Sequence, residues 1–68
     1  MKIIVNGDPG SLAEGATVAD VVVQFDGGTG AGVAVAVNDT VISKSEWSTT
    51  RLDEGDRVEV LRAIGGGC

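Results

Sequence analysis

The chain has no histidine, no tyrosine and a single cysteine, which excludes several ways of stabilising a small domain. One cysteine cannot form an internal disulfide, and the usual ligands of a structural zinc site are missing. A chain of 68 residues buries only about 60% of its unfolded surface, so little core is left for a buried active site. Stability must come from aliphatic packing, since Phe25 and Trp47 are the only aromatic residues.

Basic residues and long apolar runs are also scarce. Five basic residues against ten acidic ones give a net charge of −5, so the surface repels nucleic acid and anionic lipid. An acidic surface favours docking onto basic proteins, although it also serves solubility alone. No apolar run approaches the roughly 18 residues of a membrane span, and no signal peptide is visible. We expect a cytoplasmic protein without nucleic-acid or membrane partners.

Catalysis by this chain alone is not predicted. No histidine can act as a base, and Cys68 has no fixed cationic neighbour. The glycine-rich segment 26–32 lies between a helix pattern and a strand pattern, the reverse of a dinucleotide-binding loop. The acidic segment 53–56 lacks EF-hand spacing and indicates a solvated turn. The sequence therefore predicts neither an enzyme, nor a cofactor, nor a metal site.

The first half of the chain predicts a hairpin and one helix. Residues 2–6 read as a strand, residues 7–10 as a turn, and residues around 11–13 as a short second strand with Leu12 inward. Thr17 suits the N-cap of a helix that ends at the glycines after position 26. The apolar stripe expected on this helix consists of Val18, Val21, Val22 and Phe25.

The second half predicts three further strands. Residues 33–37 alternate valine with alanine, a turn at 38–39 leads to a short strand at 40–42, and the last strand spans 57–64. In that last strand Val58 and Val60 face one way, and the residues facing the other way are Arg57, Glu59 and Leu61.

The element order indicates an α+β fold. Ser43 or Ser45 caps a short turn containing Trp47, which we expect in the core, with a partner anchor as the alternative. Counting the short strand with its turn, the order is ββαββ, a mixed sheet with one helix packed across it, which fits a β-grasp roll. One domain, 1–64, is followed by a flexible tail, 65–68.

The tail is where we expect the function. Gly65, Gly66, Gly67 and Cys68 follow the last strand without a linker. Glycine has no Cβ, so such a segment can enter a narrow slot and present a carbonyl to another protein's active site. Six residues from Ala63 onward span at most roughly 20 Å. The chain is then a substrate of its partners.

The chain resembles, along its whole length, the ThiS family of sulfur carriers, ubiquitin-like β-grasp proteins related to the molybdopterin carrier MoaD. The order and spacing of the matching segments, together with the terminal glycines, make the resemblance specific. The matching segments are residues 3–7, 14–21, 32–38, 45–47 and 52–61.

The resemblance implies a defined chemistry at Gly67. A ThiF-like, E1-like adenylyltransferase would activate the terminal carboxylate, because a free carboxylate is ionised and unreactive toward nucleophiles. Sulfur from a donor such as a cysteine desulfurase would then give a thiocarboxylate, which a ThiG-like thiazole synthase would consume. Leu61 and Arg62, on or near the outward face of the last strand, are the residues we expect such enzymes to grip.

Cys68 departs from the family pattern, in which the chain stops at the second glycine. Four explanations are open: removal by a peptidase, an engineered handle for thiol chemistry, attack of the thiol on the Gly67 carbonyl in an N-to-S acyl shift, or a passive thiol. All four leave Gly67 as the acyl site.

Other functions are also open at this stage. The carrier could serve another pathway, such as molybdopterin or a secondary metabolite. A ubiquitin-like modifier would begin with the same activated glycine but end on a lysine of a target protein. A non-reactive interaction module would lose nothing when the tail is removed.

Overall fold

The computed structural model describes residues 1–26 and 32–62, which form a five-stranded mixed sheet with one helical segment. The strand order is β2-β1-β5-β3-β4; β1 and β5 pair in parallel, and the other three pairings are antiparallel. The strands are β1 (Lys2–Val5), β2 (Asp8–Ser11), β3 (Val33–Val37), β4 (Thr40–Ile42) and β5 (Arg57–Arg62). The predicted mixed sheet is confirmed. Because the short β4 is a full member of it, the order is better written ββαβββ than ββαββ.

Both hairpins turn on two residues with positive φ, the geometry that matches the twist of the flanking strands. Asn6 and Gly7 have φ of 51° and 84°, and they connect β1 to β2. The predicted turn at 7–10 was therefore too late, since residues 8–11 form the edge strand β2, a position that tolerates its proline. Leu12 is buried, as predicted.

The helix begins where the sequence predicts it. Thr17 is the N-cap of α1 (Val18–Val21), with a capping box in which the Thr17 amide donates to Asp20 Oδ2 at 2.8 Å. The segment then continues as a π-helical turn, Val22–Asp26. A π-helix advances by a smaller angle per residue than an α-helix, so Phe25 rotates off the predicted stripe and is 41% exposed.

The core lies between the helical segment and one face of the sheet, here called the inner face. Trp47 follows a 3₁₀ turn (Lys44–Glu46) and is buried, and its Nε1 donates to the Ile42 carbonyl at 3.0 Å. Its predicted place in the core is confirmed. Ser43 precedes that turn without a side-chain capping bond. The other buried apolar residues are Ile3, Val5, Leu12, Ala16, Val18, Val21, Val22, Val35, Leu52 and Val58.

Backbone hydrogen bonds join the start of the helix to the segment before β5. The amide of Val18 donates to Thr50 at 2.9 Å, and the amide of Leu52 donates to Ala16 at 2.9 Å. In the part of the chain that the structure covers, no helix has the length and apolar character needed to cross a membrane.

Candidate functional site

The described part of the candidate site is the end of β5, at residues 60–62, which we call the tail root. The predicted tail residues Gly65, Gly66, Gly67 and Cys68 lie outside the described residues, as do the last two positions of the predicted strand, 63 and 64. The chain enters residue 63 directly from the tail root. The geometry of these three residues therefore determines from where on the fold the tail starts.

Strand β5 lies in the middle of the sheet and is held from both sides. Along one side, β3 pairs with it up to the tail root, with Val33 opposite Arg62. Along the other side, the pairing with β1 ends at Val58, and the side chain of Asn6 takes over. Asn6 Oδ1 accepts from the Val60 amide at 2.8 Å, and Asn6 Nδ2 donates to the Val60 carbonyl at 3.2 Å. The side-chain amide of Asn6 thus continues the hydrogen bonding along β5 beyond the end of β1.

Leu61 and Arg62 lie on opposite faces of the sheet. The sequence placed both on or near the outward face, and the structure places Leu61 there, opposite Ala34 and 66% exposed. Arg62 is opposite Val33 and shares the inner face, because successive side chains of a strand alternate. Its Nη2 donates to Asp26 Oδ2 at 2.6 Å. The docking pair of the sequence analysis is therefore divided between two surfaces.

The sheet face opposite the helix, here called the outer face, carries exposed apolar side chains. Leu61 pairs with Ala34, Ala36 pairs with Val41, and Ile4 lies on the same face. Single exposed apolar residues are ordinary on a protein surface, but several on one face are typical of a contact surface. The outer face extends to the tail root at Leu61.

Charged residues lie among the apolar ones on the outer face. Glu59 is exposed opposite Ala36, Arg57 lies opposite Ile4, and Arg57 Nη2 lies 3.4 Å from Asp39 Oδ2 with both side chains mostly exposed. An exposed ion pair of this kind contributes little to stability. The apolar residues of this face that lie at the tail root are Leu61 and its partner Ala34.

The acidic turn before β5 uses its carboxylates to shape the turn. Asp56 Oδ2 accepts from the Asp53 amide at 2.8 Å, and Asp56 Oδ1 accepts from Asn38 Nδ2 at 3.1 Å. Glu54 Oε1 accepts from the Lys2 amide at 2.9 Å. Among residues 1–26 and 32–62, no three histidine, cysteine or acidic side chains group together as a metal site would require. These contacts support the interpretation of the segment as a structural turn.

Two residues that contact the tail root, Asn6 and Asp26, were not predicted from the sequence. The Asn6-Gly7 pair is a strong hairpin signal, but the proline and glycine that follow it led to the prediction of a later turn. Asp26 ends a helical segment, where a negative charge is unfavourable. An acidic residue at this position therefore indicates a basic partner elsewhere in the chain, which is Arg62.

Comparison with known proteins gives consistent results over the whole chain. The model of the ThiS family matches residues 3–67. The sulfur carrier protein ThiS of Escherichia coli strain K12 is 30% identical over 67 residues, covering 98% of this chain and 100% of that protein. The crystal structure of the thiamine biosynthesis protein (ThiS) of Geobacter metallireducens matches with a TM-score of 0.81 at 30% identity, covering 98% and 100% of the two chains.

A further relative is much longer. A thiazole synthase of Magnetococcus marinus is 36% identical over 67 residues, which are 98% of this chain and 20% of that protein. A segment similar to nearly the whole of this chain is thus part of that longer protein.

Proposed function

The chain belongs to the ThiS family, and from this membership we propose that Gly67 is the residue at which it carries sulfur. The chain is a sulfur carrier protein of thiamine biosynthesis and not an enzyme. The observation that carries the proposal is the extent of the family match, which runs through the β-grasp body and ends at Gly67. Gly65 and Gly66 precede it in the sequence, and without a Cβ they can enter a slot too narrow for other residues.

Sulfur loading at Gly67 takes two steps. A carboxylate oxygen attacks the α-phosphorus of ATP on a ThiF-like adenylyltransferase, and pyrophosphate leaves. A donor such as a cysteine desulfurase carries the sulfur as a persulfide; two thiols reduce it to sulfide and are oxidised to a disulfide, and the sulfide then attacks the acyl carbon. The carbon–sulfur bond forms, AMP leaves with its oxygen, and a thiocarboxylate remains. Holding both reactants in one site makes each step effectively intramolecular.

Cys68 has to leave before this chemistry, because the peptide bond to it occupies the Gly67 carbonyl. Hydrolysis of that bond by a peptidase adds water and frees the Gly67 carboxylate. The family match, which stops one residue before Cys68, supports this order of events. Both the ATP-dependent step and the unpaired thiol fit the reducing cytoplasm, where we place the protein.

A ThiG-like thiazole synthase is the proposed recipient of the sulfur. The support is the Magnetococcus protein, in which a segment 36% identical to this chain belongs to a thiazole synthase. Carrier and synthase functions that are joined in one protein are expected to meet physically when they are separate. The outer face, with Leu61 at its end, supplies the apolar contact for this encounter and for adenylation. Arg62, whose guanidinium is half exposed, can add a charged contact from the other side of the tail root.

Mass spectrometry of the intact protein from its native host tests the function. Exchange of one oxygen for sulfur raises the mass by about 16 Da, and the proposal requires this gain on a chain that has lost Cys68. Adducts joined to lysines of other proteins would instead identify a modifier. A chain that stays unprocessed and unmodified under thiamine starvation would refute sulfur loading at Gly67.

A further inference from the structure

The Asp26–Arg62 ion pair joins the helical segment to the tail root. The two side chains come from positions 36 residues apart, and their nitrogen and oxygen atoms lie 2.6 Å from each other. The Asp26 side chain is only 8% exposed, whereas Arg62 is 55% exposed. A charge-assisted hydrogen bond this short, with one partner shielded from water, is among the stronger polar contacts in proteins.

In the described part of the chain, the ion-pair partner of Asp26 is Arg62. Asp26 is the last residue of the helical segment, where the backbone carbonyls already present negative charge, and residues 22–26 contain no basic side chain. Shielding a carboxylate from water costs free energy unless a partner compensates it. The guanidinium of Arg62 compensates both the shielded carboxylate of Asp26 and the negative end of the helical segment.

We propose that the Asp26–Arg62 pair is a positioning contact, which holds the last residue of β5 against the end of the helical segment and so determines where the tail starts. The inference rests on the proposed function, because it concerns delivery of Gly67 to the adenylating enzyme. Arg62 lies five residues before Gly67, so its position sets the point on the fold from which the acyl site has to reach the enzyme. Misplacement of a reacting group by about an ångström is enough to slow an enzymatic step severely.

The test is adenylation kinetics with the mature form, the chain ending at Gly67, as the varied substrate of its adenylyltransferase. Pyrophosphate released from ATP is the readout. Asp26→Asn keeps the size of the side chain but removes its charge, and Asp26 is too shielded to serve as a docking residue. We expect kcat to fall about three- to ten-fold with KM unchanged, because the outer face still docks while the tail arrives out of place.

The matched control is Asp39→Asn. It makes the same chemical change in the ion pair at the opposite end of β5, where Arg57 and Asp39 are both exposed. We expect wild-type kcat and KM for this control. Arg62→Gln should reproduce the loss in kcat, and Arg62→Lys, which keeps a point charge without the planar fork, should recover part of it.

The outcomes separate the inference from the function on which it rests. If the unsubstituted mature form is not adenylated at all, the proposed function fails. If it is adenylated and folded Asp26→Asn matches it in kcat, the positioning role is refuted. A rise in KM for Arg62→Gln with no effect of Asp26→Asn would show that Arg62 acts by docking alone, which also overturns the inference. Should Asp26→Asn not fold, the comparison of Arg62→Gln with Arg62→Lys decides the same question.

Discussion

At the scale of single residues, two asparagines each perform two tasks. Asn6 and Asn38 both occupy a hairpin turn with positive φ, 51° and 48°, which asparagine tolerates better than most residues. Each also uses its side-chain amide to hold β5: Asn6 at Val60, and Asn38 at Arg57, whose amide donates to Asn38 Oδ1 at 3.0 Å. The hairpin turns therefore fix the strand that leads to the tail.

Replacing Asn6 by glycine should destabilise the protein through the lost contacts with β5. Glycine adopts the same backbone conformation, so the two bonds to Val60 are the main loss, and we expect the free energy of unfolding to fall by about 1–2 kcal/mol. Urea denaturation followed by Trp47 fluorescence measures it. Asp39→Gly is the control: its φ of 71° also suits glycine, but its side chain bonds no backbone group of β5. Equal stabilities of the two variants would contradict the role of Asn6.

Leu61 is the residue at which the docking role of the outer face can be tested. Leu61→Glu should leave stability nearly unchanged, because the side chain is 66% exposed, but raise KM for the adenylyltransferase about ten-fold. Val23→Glu is the matched control, since Val23 is 67% exposed on the helical segment and the change in net charge is the same. A similar rise in KM for both variants would point to charge alone and against an apolar contact at Leu61.

At the scale of elements, the alternating strands were predictable and the ends of elements were not. The valine–alanine alternation of 33–37 and the inward Val58 of β5 needed only the two-residue period of a strand. The turn after β1 was misplaced because Pro9 looked like a turn residue, whereas an edge strand accepts it. Phe25 was misplaced because a change from α- to π-helical winding leaves no mark in the apolar period.

The exposed Phe25 has a structural use, which is to cover the edge strand β2. A Cβ built on Gly10 would lie 2.8 Å from Phe25 Cζ, so the ring lies directly over the glycine. Gly10→Ala should therefore cost about 1 kcal/mol through overpacking in the wild type. In a Phe25→Ala background the same change should stabilise by about 0.5 kcal/mol, because alanine restricts the unfolded chain. Urea denaturation of the four proteins gives the coupling; strictly additive effects would show that the ring does not pack on β2.

At the scale of the whole molecule, the folded body and the reactive end are separate parts of the sequence. Every residue of the described core lies between Ile3 and Val58, whereas the proposed acyl site is at Gly67. The sequence was enough to propose this site, because terminal glycines are a local signal with a local reason. Its supports were not predictable, since Asn6 and Asp26 are distant in sequence from residues 60–62 and reach them only through the fold.

Deleting residues 66–68 tests whether the folded core and the terminal residues have separate roles. The core remains whole, so we expect an unchanged unfolding midpoint in urea and a complete loss of adenylation. Because the outer face also remains, the truncated chain should inhibit adenylation of the mature form competitively, and Leu61→Glu in the truncated chain should weaken that inhibition about ten-fold while Val23→Glu does not. A truncated chain that folds but fails to compete would mean that partners bind the tail alone and that the apolar residues of the outer face have another purpose.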